Sequence, residues 1–178
     1  MRFPPFRFLL CLSLLLSVLP ARAQELPSSA DADQGSVGQL LDKGFAYLGI
    51  KYLFGGDSPE RGGFDCSGLV RKVFGDALGL NLPRTAAEMA KMGDKVGAKD
   101  LQPGDLVFFN TMRRAFSHVG IYVGDNKFLH APSQGSVVRV EEMNGSYWMK
   151  RFNGARRLVS EAQAAEAPSG APAGLPLE

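Results

Sequence analysis

Cysteine and histidine are scarce in this chain: 178 residues hold two of each. Cys11 falls within an apolar N-terminal run with no small residues ahead of it, so it is not read as a lipid attachment site. Once that run is removed, Cys66 is the one thiol left, which excludes an internal disulfide. In a compartment where disulfides form, a solitary cysteine is expected to be there for its reactivity. The chain also lacks an apolar stretch long enough to span a bilayer comfortably. It has no internal repeat and no nucleic-acid-binding motif, so neither a repeat architecture nor a nucleic-acid partner is expected.

The N-terminus reads as a secretory signal. Arg2 and Arg7 supply the charged start, residues 8–19 are apolar apart from Ser13 and Ser17, and Ala21-Arg22-Ala23 offers small residues for cleavage. This sets residues 1–23 apart as a leader, places the first retained residue at Gln24 and implies export to a periplasm or cell wall. An uncleaved membrane anchor is the alternative. Loss of Arg2, Arg7 and Arg22 takes the formal charge from +2 to −1. That charge is uneven: residues 36–160 carry 17 Lys and Arg against 12 Asp and Glu, a net +5, between acidic flanks. A cationic body suits an anionic polymer, although a solvated surface gives the same balance.

Residues 24–35 read as a polar linker, 36–160 as one domain with a core, and 161–178 as a disordered tail of Ala, Pro, Gly and Glu. Leu40, Leu41, Phe45 and Leu48 recur at helical spacing over residues 37–48. Residues 52–54 are extended, and the turn-rich segment 57–63 leads straight into Cys66. From Cys66 to Leu78 the spacing predicts a helix with Leu69, Val70, Val73, Phe74 and Ala77 on one face and Asp65 as its N-cap. A short helix follows Pro83-Arg84-Thr85 and runs through Met92. Strands are expected at 106–109, 119–123, 127–131, 137–141 and 155–159. Helices first and an antiparallel sheet second make an α+β arrangement.

A thiol at a helix start meets unpaired backbone N–H groups and the positive end of the helix dipole, which favour the thiolate. The same N–H groups can face an oxyanion. Gly68, within the first turn, is expected to keep the helix start open to substrate. Strand alternation puts His118, Gly120 and Tyr122 on one face, and Phe128 with His130 on one face of the next strand. The two histidines face the same way only if an odd number of residues separates the strands. A three-residue Gly124-Asp125-Asn126 loop, with Asn126 left-handed, meets that condition. Cys66, His118 and His130 are therefore a candidate nucleophile, base and orienting group. A Cys-His-His zinc site is the other reading of the same three residues, though spacing recruits no carboxylate to it.

Seven blocks occur in order: Tyr52-x-x-Gly55-Gly56, Phe64-Asp65-Cys66-Ser67-Gly68-Leu69-Val70, Leu82-Pro83-Arg84-Thr85, Pro103-Gly104-Asp105-Leu106-Val107-Phe108-Phe109, Ser117-His118-Val119-Gly120-Ile121-Tyr122-Val123, Phe128-Leu129-His130-Ala131, and Tyr147-Trp148 through Ala155-Arg156-Arg157. Over residues 37–159 the chain resembles the NlpC-type cysteine peptidases of bacterial cell walls. The resemblance implies a papain-like α+β fold, its nucleophile at a helix start packed on a five- to six-stranded antiparallel sheet. It implies hydrolysis of amide bonds beside diaminopimelate in peptidoglycan stem peptides, with no cofactor and no metal. The bond is either D-alanyl–diaminopimelate across a cross-link or γ-D-glutamyl–diaminopimelate within a stem. By motif match Cys66 is the nucleophile, His118 the base and His130 the third polar residue. Tyr52 matches a tyrosine near the oxyanion position, and Asp65, Ser67, Arg84 and Ser117 match residues lining the site. A monomer is expected, without stable membrane association, finding the wall by itself or through an adaptor or regulator. The rival readings are a catalytically silent wall-binding domain, an acyltransferase or amidase on another substrate, and a redox thiol, for which a resolving cysteine is lacking.

Overall fold

In the computed structural model, which describes residues 29–111 and 114–159, a helix α1 (Ser29–Phe45) precedes a short hairpin of β1 (Asp57–Ser58) and β2 (Gly63–Phe64). The helix α2 (Cys66–Leu78) follows, then α3 (Ala86–Met89), β3 (Asp94–Val96), β4 (Leu106–Phe109), β5 (His118–Gly124), β6 (Lys127–His130), β7 (Arg139–Glu142), α4 (Ser146–Met149) and β8 (Phe152–Arg157). Six strands form one sheet in the order β3-β8-β4-β5-β6-β7, every neighbouring pair antiparallel. The α+β expectation holds. The leader over residues 1–23 and the tail over 161–178 lie outside the described residues.

Local differences from the sequence reading have simple causes. The first helix begins at Ser29 and ends at Phe45, so residues 29–35 of the segment read as a linker are helical. Ala and Gln favour a helix without needing an apolar stripe, and periodicity finds only the stripe. The turn-rich 57–63 segment closes as the β1–β2 hairpin around a 3₁₀ turn at Pro59–Arg61. Strand β3 was not expected, because its three residues bury too little to show alternation. The strand expected at 155–159 runs instead over Phe152–Arg157.

The two faces of the sheet are both covered. Leu106, Phe108, Val119, Ile121 and Leu129 pack with the apolar stripe of α2. Leu69, Val70, Val73 and Phe74 of that stripe are fully buried, worth about 1.5–3 kcal/mol each. Val107, Phe109, Tyr122, Phe128 and Ala155 form a second cluster on the other face, covered by Trp148 of α4. A partly buried ion pair fixes the last strand to this framework: Arg157 Nε and an Nη each donate to carboxylate oxygens of the buried Asp105 at 2.8 Å.

The β5–β6 turn differs in detail from the expected loop. Gly124 pairs with Lys127, leaving a two-residue turn at Asp125 and Asn126, both left-handed at φ 50° and 55°. A two-residue turn alone would put the histidines on opposite faces. Pairing, however, jumps from Tyr122↔Phe128 to Gly124↔Lys127, so Val123 is an extra, bulged residue that restores the odd count. Gly120 makes room for the result. A Cβ there would lie 2.6 Å from Phe128 and 3.3 Å from His130 Cβ.

Gly68 corrects another expectation. It is buried, and a Cβ on it would meet the Gly56 carbonyl oxygen at 2.0 Å and Asp57 Cα at 3.1 Å. Its role is close approach between α2 and the loop before β1, rather than an opening for substrate. Gly68→Ala should therefore destabilise the fold by about 1–3 kcal/mol or more. Denaturant titration checks this; an unshifted midpoint would mean that the Gly56 loop yields freely.

Candidate active site

Strand β2 delivers the chain to Asp65, which adopts extended dihedrals and accepts at 2.7 Å from the Gly68 N–H, capping α2. Cys66 is thus the first helical residue. It is a free, partly buried thiol. Asp65 is itself clamped. Its Oδ2 accepts from Arg84 at 2.6 Å and from the Gly55 N–H at 3.1 Å. Arg84 also donates to Asp65 Oδ1 at 3.1 Å and to Ser67 Oγ at 2.8 Å.

His118 opens β5 and His130 closes β6, both buried. His118 Nε2 and His130 Nδ1 stand 2.8 Å apart and share one proton. That leaves His118 Nδ1 as the ring nitrogen available to another partner. The rings sit among aromatics: Trp148 stacks on His118 at 5.6 Å and 25°, and Phe128 lies 4.4 Å from His130. The carboxylate of Glu141, which sequence spacing did not recruit, reaches this pair, its Oε2 3.4 Å from His130 Nε2.

One cavity of about 580 Å³ joins these elements, with Cys66 and His118 in its walls beside Tyr52, Ser117, Arg139, Glu141 and Trp148. Of the residues expected to line the site, Tyr52 and Ser117 do so, and Ser117 also braces the strand start by accepting from the Thr111 N–H at 2.9 Å. Asp65, Ser67 and Arg84 are not among its walls; they hold the helix start from behind. Glu141 and Arg139 went unnoticed in the sequence because β7 shows no apolar alternation to put them on a defined face. Among the described residues no cluster of three His, Cys, Asp or Glu side chains is arranged to hold a metal ion.

Burial favours the neutral form of the thiol and of both imidazoles. Burial, and then the negative charge of Asp65, push the Cys66 thiol up, against the backbone N–H groups of Val119, Ser67 and Cys66 itself. Desolvation thus works against the thiolate that the helix start favours. Burial lowers His118 to about 4 and pushes His130 lower still. Burial, with Cys66 and Asp65 nearby, raises the Tyr52 phenol, which keeps its proton as a donor. The thiol and the imidazole line the same cavity, and burial favours the neutral form of each.

A model of the NlpC/P60 family matches residues 49–157, a stretch that includes Cys66, His118 and His130. The chain is 41% identical over 133 residues to the gamma-DL-glutamyl hydrolase of Bacillus subtilis, covering 74% of this chain and 30% of that protein. It is 40% identical over 124 residues to the murein DD-endopeptidase MepS/murein LD-carboxypeptidase of Escherichia coli, covering 70% of this chain and 64% of that one. The solved structure of an NlpC/P60 family protein from Bacillus cereus superposes with a TM-score of 0.66 at 29% identity, over 76% of this chain and 44% of that chain. The chain thus spans less than two thirds of the length of each of these relatives. With the family model covering more than half of the chain, and the six-stranded sheet agreeing, this chain belongs to the NlpC/P60 family.

Proposed function

We propose that this domain is a cysteine endopeptidase that hydrolyses peptidoglycan peptides at the D-alanyl–diaminopimelate bond of cross-links, remodelling the cell wall. The observation that carries the reading is the shared cavity, with Cys66 at the start of α2 in one wall and His118, bonded to His130, in another. The murein DD-endopeptidase relative supports the choice of bond. The γ-D-glutamyl–diaminopimelate bond is the second reading, favoured by the gamma-DL-glutamyl hydrolase relative. Among the described residues no helix is long and apolar enough to cross a membrane. The leader read in residues 1–23 supports export, so the enzyme works in a periplasm or wall as a monomer, with or without an adaptor.

His118 Nδ1 accepts the Cys66 proton, and the thiolate sulfur bonds to the scissile carbonyl carbon. The oxyanion that forms is met by the N–H groups at the start of α2 and by the Tyr52 hydroxyl. His118, now imidazolium, gives its proton to the leaving amine as the C–N bond breaks. Water, deprotonated by His118, then cleaves the thioester and returns the thiol. His130 holds the His118 ring through Nε2 and stabilises the imidazolium less than a carboxylate would.

Digestion of purified diaminopimelate-type muropeptides, read by mass spectrometry, tests this directly. Cross-linked dimers should fall to monomers; stems ending at glutamate would establish the second bond instead. Cys66→Ala and His118→Ala should each lose about a thousandfold or more in turnover, with His130→Ala milder. A Cys66→Ala variant with full activity would sink the mechanism and leave a silent binding domain.

The pH dependence has a defined sign. Protonation removes the base, so the rate falls as pH drops through the folded value of His118, which burial lowers to about 4. The acid limb of kcat/KM should therefore lie near pH 4, well below the ordinary histidine value of about 6.5. Initial rates on a soluble muropeptide check it; an acid limb at the ordinary value would contradict the buried neutral base.

A further inference from the structure

We infer that Glu141 is a positioning residue: its carboxylate sets the tautomer of the histidine pair so that His118 Nδ1 is the basic nitrogen presented to Cys66. The inference rests on the reading of Cys66 as nucleophile and His118 as base. It begins with an orphaned atom. His130 is fully buried, its Nδ1 is taken by His118, and its Nε2 is a buried atom with no aligned hydrogen-bond partner among the described residues. Leaving such a group unmade is costly. Glu141 Oε2 stands 3.4 Å away, within reach but off the hydrogen-bonding direction in this arrangement.

The carboxylate is held at that place by two independent contacts. The Trp148 indole N–H donates to Oε2 at 2.7 Å, and Arg139 Nε donates to Oε1 at 2.6 Å. Trp148 in turn stacks on His118 and meets His130 edge-on at 5.1 Å. One indole thus fixes the carboxylate and one ring face of each histidine.

An ionised carboxylate only accepts. Facing it, His130 Nε2 must carry the proton. A neutral imidazole has one N–H, so His130 Nδ1 is then bare and accepts from His118 Nε2. With its proton on Nε2, neutral His118 has a bare Nδ1 for the thiol. The opposite tautomer would aim the lone pair of His130 Nε2 at the carboxylate and put a proton on His118 Nδ1, where it blocks transfer. During turnover the His118 imidazolium keeps its charge and is stabilised through the His130 hydrogen bonds by the Glu141 carboxylate, which supplies part of what a histidine in the third position lacks. Arg139 limits this benefit by sharing the carboxylate.

The test pairs a spectroscopic reading with kinetics on the purified protein, wild type, Glu141→Ala and Glu141→Gln. In protein carrying ¹⁵N-labelled histidine, two-bond ¹H–¹⁵N correlations assign each ring tautomer without substrate. Wild type should show His118 as the Nε2–H form. Glu141→Ala should mix the two forms and lower kcat about tenfold or more, with KM changed by less than about twofold. Glu141→Gln, similar in shape and still offering an acceptor oxygen, should recover part of both signals. It also carries the test if the alanine variant does not fold. Unchanged tautomers overturn the inference, and so does a rise in KM alone, which would make Glu141 a substrate contact in the cavity wall. Absence of Cys66-dependent turnover in wild type would refute the peptidase reading and leave the tautomer result standing by itself.

Discussion

The placement of His118 and His130 on one face of the sheet depends on one extra residue in β5. Side chains alternate between the faces of a strand, so each inserted or deleted residue flips everything beyond it. The Asp125–Asn126 turn, tight and left-handed at both positions, by itself sends His130 to the face opposite His118. Val123, bulged between the Tyr122 and Gly124 pairings, reverses that flip. The bulge also carries Phe128 onto the face of Phe109 and Trp148, so the correction that unites the histidines builds the aromatic cluster that encloses them. Gly120 completes the arrangement, because any side chain there would occupy the space of Phe128 and His130.

Enclosure decides the electrostatics. Burial raises an acid and lowers a base, so thiol and imidazole move apart, each toward its neutral form. A resting thiolate–imidazolium pair would need solvation that Phe109, Phe128 and Trp148 deny to the histidine side. In the proposed mechanism charge therefore separates only during attack, when the oxyanion and the donors at the start of α2 can share it. A neutral thiol also oxidises less readily than a thiolate.

The parts of the site that were legible in the sequence are those with strong local signals. Asp65 before an apolar 3.6-residue stripe announces the α2 cap, and the alternation around His118 announces β5. Strand parity requires an odd count between the strands; a three-residue loop would supply it, and the molecule supplies it with a bulge. Both give the same face, because parity constrains the count and says nothing about where the extra residue sits. Gly68 was misread because its neighbour, the Gly56 carbonyl, comes from a contact made only in three dimensions. Glu141 was missed for the same reason. It lies on a strand with exposed, charged neighbours, and only the β6–β7 pairing of His130 with Arg139 brings that strand beside the histidines.

Asp65 shows how stability and reactivity compete at one side chain. As the N-cap it satisfies the Gly68 N–H and so fixes the helix start that positions Cys66. As an anion next to that thiol, it opposes the thiolate, second only to burial. An apolar residue in its place would relieve the repulsion and lose the cap, a loss of about 1 kcal/mol together with the geometry of the nucleophile. Arg84 restrains the carboxylate. Its guanidinium binds both carboxylate oxygens and Ser67 Oγ while the Oδ1 cap is kept. A lysine, with one ammonium point, reaches one oxygen well and leaves the other oriented by the Gly55 N–H alone. The planar fork of arginine thus holds both oxygens of the carboxylate that caps α2, one residue before Cys66.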